Sequence, residues 1–85
     1  MNVTVTYPGG QPQTIGAALA VAVVAAAVRA GHTVTIDRPD VPTRWALTAT
    51  DRTVTAAAVN PHLFAVDPTI PAWVERIAAA AADLL

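Results

Sequence analysis

The chain contains no cysteine, no lysine and no serine. Without cysteine it has no disulfide, no zinc–thiolate centre and no thiol nucleophile. Without lysine it has neither a Schiff-base amine nor a Walker-type phosphate loop. Without serine the commonest hydroxyl nucleophile is missing too. Charge is scarce: 13% of residues carry one, against the roughly 25% of an ordinary soluble domain. The formal net charge is -1, so no general attraction to nucleic acid or to acidic membranes is expected. The lack of cysteine fits a cytoplasmic location, which is the expectation adopted.

Long hydrophobic runs are also few. The longest, Ile15 to Val28, has fourteen residues, about four short of the shortest usual membrane span. No basic residue stands between Met1 and Thr14, where a secretory signal would need one. The expectation is a buried helix and no membrane association.

What remains is an apolar chain: 54% of its 85 residues are hydrophobic, far above the range of disordered segments. This length holds one core, so residues 1–85 are read as one domain. Ala, Val and Thr dominate and all five basic residues are Arg. That bias is what GC-rich codons produce, and it points to a high-GC bacterium or its phage as the source.

Periodicity gives the elements. Asn2 to Tyr7 alternates Val3, Val5 and Tyr7 with Thr4 and Thr6, the pattern of a half-buried strand. Pro8-Gly9-Gly10 ends it. Thr14 is a suitable N-cap for a helix over Ile15–Ala30, with Arg29 in its last turn and Gly31 as the C′ residue. Two apolar stripes lie on this helix: Ile15, Leu19 and Val23, and nearly opposite them Val21, Val24 and Val28. A helix apolar all round must be covered on more than one side.

Thr33 to Asp37 is a second alternating strand. Arg38 to Pro42, with two prolines, reads as a loop. Trp45, Leu47 and Ala49 alternate with Ala46, Thr48 and Thr50. Asp51-Arg52 makes a tight turn, and Val54, Ala56 and Ala58 continue inward on the returning strand. Asn60-Pro61 breaks it, and Leu63 to Val66 is either a short edge strand or a packed loop. The last helix spans about Ile70 to Leu84. Ile70, Trp73, Val74, Ile77, Ala81 and Leu84 share one face, with Glu75, Arg76 and Asp83 on the other. Thr69 is its candidate N-cap, and Pro71 lies in the first turn, where proline is tolerated.

The order β-α-β-β-β-α predicts a two-layer α+β sandwich: a four-stranded mixed sheet with two helices on one face. A right-handed crossover would make the first two strands parallel, and short connections would make the rest an antiparallel meander. Such a sheet turns Thr4, Thr6, Thr33, Thr35, Thr48, Thr50, Thr53 and Thr55 away from the helices or leaves them near strand ends, where threonine suits a solvated strand. From Ile15 onward the order α-β-β-β-α resembles, in topology, the double-stranded RNA-binding fold. That family grips phosphates with a lysine-rich start to its last helix, where this chain has Pro71-Ala72-Trp73-Val74-Glu75-Arg76.

Catalytic constellations are thin. His32 and His62 fall in no HxH or HExxH spacing. Asp37, Asp40, Asp51 and Asp67 all stand at strand ends or in loops, where turn chemistry accounts for them. No enzyme activity, metal or cofactor is expected. The reading that fits best is a small non-enzymatic interaction or assembly module that works as a homo-oligomer, possible partners being other copies of itself or an unidentified protein. Val21, Val24, Val28 and Trp73 are the expected interface residues, since alanines around the helix permit close approach. The competing expectation is nucleic-acid binding through Arg38, Arg44, Trp45 and Arg52 on the loops between strands, with Trp45 available to stack.

Overall fold

Two valines start the sheet. Val3 and Val5 of β1 (Asn2–Thr6) are buried, while the alternating Thr4 and Thr6 are half-exposed. The computed structural model describes residues 1–59 and 69–85. Beyond the Pro8–Pro12 loop the chain turns back as β2 (Gln13–Gly16), which pairs antiparallel with β1, Ile15 opposite Val3 and Thr14 opposite Thr4. The two threonine hydroxyls lie 3.0 Å apart. The sequence alone predicts the first helical turn at Ile15 with Thr14 as its cap. Instead α1 runs Ala17–Arg29 behind Gly16, which supplies no side-chain cap. The orphan N–H of Ala17 donates to the Met1 carbonyl at 3.0 Å, so the hairpin does what a cap would have done.

The C-terminus of α1 closes as expected. Gly31 has φ +86°. Its N–H donates to Val28 O, and the N–H of His32 reaches back to Ala27 O, both at 3.0 Å. This paired return is the Schellman motif, which favours glycine at the left-handed position.

β3 (Val34–Arg38), β4 (Val41–Thr50) and β5 (Thr53–Ala58) form the meander. The β3–β4 connection is shorter than the two prolines suggest: Val41 and Pro42 belong to β4 and only Pro39-Asp40 turn. Register slips between Ile36 and Arg38, and an irregularity of this kind is where a strand tolerates proline. The β4–β5 turn is Asp51-Arg52, with φ of 48° and 67°. Both signs are those of the two-residue hairpin turn that matches strand twist.

The sheet order is β2-β1-β3-β4-β5 and every neighbouring pair is antiparallel. The expected four-stranded mixed sheet is thus corrected, among the described residues, to a five-stranded antiparallel one within the same α+β class. The reason is β2. The chain reverses once more before entering the helix, so the strand that feeds α1 is β2. β2 and β3 then share one direction, with β1 between them. The question whether residues 62–67 form a strand falls outside the described residues.

α2 (Ala72–Asp83) follows Pro71, two residues later than the sequence suggests and with no side-chain cap from Thr69. Both helices cover the same side of the sheet. Val3, Val5, Val34, Ile36, Trp45 and Leu47 supply the sheet side of the core, and Ala20, Val24, Val28, Trp73, Val74 and Ile77 the helix side. Arg29 donates to the Leu84 carbonyl, tying the two helix C-termini together where a cation complements both dipoles.

Candidate functional site

The two helices present different outer faces. On α2 the exposed positions include Glu75, Arg76 and Asp83, the usual solvated stripe. On α1 they are Ala18, Leu19, Ala22 and Ala26 until Arg29, with Ile15 and Val23 half-buried beside them. No charged side chain occurs anywhere before Arg29 in the sequence. Ala18, Ala22 and Ala26 are spaced by four and so form one ridge of the helix. Leu19 stands beside that ridge with 57% of its surface exposed.

This is the opposite stripe from the one expected to face outward. Val24 and Val28 are 0% and 3% exposed within the single chain, Val21 is half-buried, and Trp73 is 6% exposed. Val24, Val28 and Trp73 are core residues of one copy and offer no surface to a second. Periodicity alone could not decide this, because both stripes are apolar. Alanine does not mark the outer face either: Ala20, Ala25 and Ala27 are buried while Leu19 is exposed.

The arginines are not gathered. Arg38 pairs with Asp40 at 2.9 Å and its guanidinium lies 5.9 Å from the Trp73 ring centroid, so its charge is already partnered. Arg44 is exposed near the start of β4, and Arg52 occupies the turn beyond its other end. At about 3.3 Å per residue they stand roughly 25 Å apart. Trp45 is 2% exposed, buried under the helices, and presents no ring for a base. Its Nε1 has no hydrogen-bond partner among the described residues.

The helix-free side of the sheet carries threonine, as expected. Thr48 and Thr55 hydroxyls meet at 3.2 Å, and the Thr35 hydroxyl donates to Thr6 O at 3.3 Å. These are local cross-strand bonds that satisfy the hydroxyls within the sheet. Among the described residues no three His, Asp or Glu side chains converge as metal ligands, and no buried polar or charged residue is present. His62 and Asp67 lie outside those residues. No described helix is long and apolar enough to cross a membrane. A groove of about 460 Å³ runs between β5 and α2.

These features define a small two-layer α+β domain with an uncharged helix face and a groove between β5 and α2. Comparison of the chain with family models, with curated proteins and with solved structures finds no match.

Proposed function

We propose that this chain is a small non-enzymatic assembly module that acts as a homo-oligomer, each copy pressing the outer ridge of α1 against the same ridge of another. The observation that carries the reading is the uncharged, exposed row Ala18, Leu19, Ala22 and Ala26, set against the charged outer face of α2. Alanine at every fourth position lets two helix backbones come within about 8 Å, with Leu19 and Val23 filling the flanks. A twofold contact uses the same patch on both copies and needs no further surface. Burying roughly 400 Å² of apolar area per copy contributes on the order of 10 kcal/mol per copy before the cost of association. A surface of that size outweighs the lower end of that cost.

The absence of native cysteine makes the test clean. In an Ala22→Cys variant the only thiol lies in the middle of the ridge. Two such thiols brought together across a twofold axis meet the Cα separation a disulfide needs, about 4.4–6.8 Å. Mild oxidation is expected to give a covalent dimer far faster than for Arg76→Cys, whose thiol is on the exposed face of α2. Equal cross-linking rates for the two variants would remove the α1 interface.

A further inference from the structure

Among the described residues β5 is the last strand of the sheet, and no strand pairs with its outer edge. Counting from the two-residue turn, Thr53, Thr55 and Ala57 direct their backbone groups at β4. The N–H and C=O groups of Val54, Ala56 and Ala58 therefore point outward. The alternation continues past the strand, where Val59 N–H donates to Arg44 O at 3.0 Å. Natural edges are usually blunted by a charge, a proline or a bulge. The stretch Thr53–Ala58 contains neither a charge nor a proline, and its pairing with β4 is regular throughout.

The groove lies along this edge. Val54 and Ala56 line the β5 side, and Ala78, Ala79 and Ala82 of α2 form the facing wall. Its ends are charged with opposite sign. Arg38 lies over Trp73 and Arg29 binds Leu84 O, so α2 starts where β3 ends and finishes where β3 starts. β5 begins at the latter end and α2 runs against it. Arg52 therefore marks one end of the groove and Glu75 the other. Arg52 also holds φ 67°, in a position where glycine or asparagine would be at less cost, and its side chain lines the groove.

We propose that the β5–α2 groove is a strand-addition site for an extended segment of another protein. The segment runs antiparallel to β5. It sets medium-sized apolar side chains at alternate positions against the α2 alanines, with a basic group toward Glu75 and an acidic group toward Arg52. Pairing with the outward groups of Val54, Ala56 and Ala58 gives the backbone hydrogen bonds, and the alternate pockets and end charges give selection. Polar residues belong at the intervening positions, because those side chains emerge on the threonine side of the sheet. The site is separate from the α1 ridge and does not depend on self-association.

The test uses the full chain and a fluorescein-labelled peptide, Lys-Val-Thr-Val-Thr-Val-Thr-Glu, with a second peptide in which the terminal Lys and Glu are exchanged. Fluorescence anisotropy is expected to show saturable binding below about 1 mM, with the first peptide preferred by about threefold from its two exposed charge pairs. Ala79→Arg, which fills the groove from an exposed helix position, is expected to abolish binding. The double variant Arg52→Asp, Glu75→Arg is expected to reverse the peptide preference. Hydrogen exchange at the Val54 and Ala56 amides should slow on addition of peptide, and the Ala22→Arg variant should bind as the parent does. Several results would overturn the site: no saturable binding, an unchanged preference in the double variant, or Val54 and Ala56 amides already protected without peptide. The last would mean that the edge is covered by the chain itself or by a second copy.

Discussion

Gly31 and Arg52 are two left-handed residues with opposite chemistry. At Gly31 the backbone sign and the residue agree, so Gly31→Ala forces a Cβ into a conformation it disfavours. The expected loss is about 1 kcal/mol, read as a lower midpoint of urea unfolding at unchanged slope. At Arg52 they disagree, and Arg52→Gly is expected to raise stability by about 1 kcal/mol while removing the cation from the end of the groove. Of these two, the sequence shows Gly31 plainly, because it follows an apolar run and a terminal arginine. Arg52 could be assigned to a turn, but its backbone sign is imposed by the twist of β4 and β5.

At the scale of elements, the meander was the most legible part. Alternation at Thr33–Asp37, Trp45–Thr50 and Val54–Ala58 leaves only one set of residues for the core, and Val34, Ile36, Trp45, Leu47 and Val54 are buried. The entry to α1 was not legible. Gln13-Thr14-Ile15-Gly16 has too few residues to show a period, and its pairing depends on Thr4 and Val3 ten or more residues away. Local signals therefore favoured a helix cap where tertiary pairing makes a strand. The same ambiguity governed the candidate interface, since Val24 and Leu19 are equally apolar and only packing separates them. The two positions separate in a paired experiment. Val24→Glu buries a carboxylate with no partner in the core and is expected to cost about 4 kcal/mol or more, enough to unfold a domain of this size. Ala22→Arg adds a cation to an exposed alanine position. It is expected to leave the unfolding free energy of the separated chain within about 0.5 kcal/mol of the parent while preventing self-association. Circular dichroism and sizing of both variants check the pair. A folded Val24→Glu variant, or an oligomeric Ala22→Arg one, would contradict the assignment of the two helix faces.

At the scale of the whole molecule, the α+β class follows from composition and element order, while the topology does not. A single additional reversal, β2, turns the expected parallel crossover between the first two long strands into an antiparallel pairing of β1 with β3. Among the described residues that reversal also places β2 at one edge of the sheet and leaves β5 at the other. Among the described residues the domain consequently has two features: an uncharged helix ridge on its layer of helices, and a sheet edge beside α2 with no pairing strand. A chain this short buries a smaller share of its surface than a larger domain does, so apolar surface retained outside the core is available for association. The most direct measurement is the solution mass of the unmodified chain, by light scattering behind a sizing column over about a hundredfold range of concentration. Self-association through α1 predicts a whole-number multiple of 8.7 kDa that Ala22→Arg reduces to a single copy. A mass of 8.7 kDa at every concentration would contradict it.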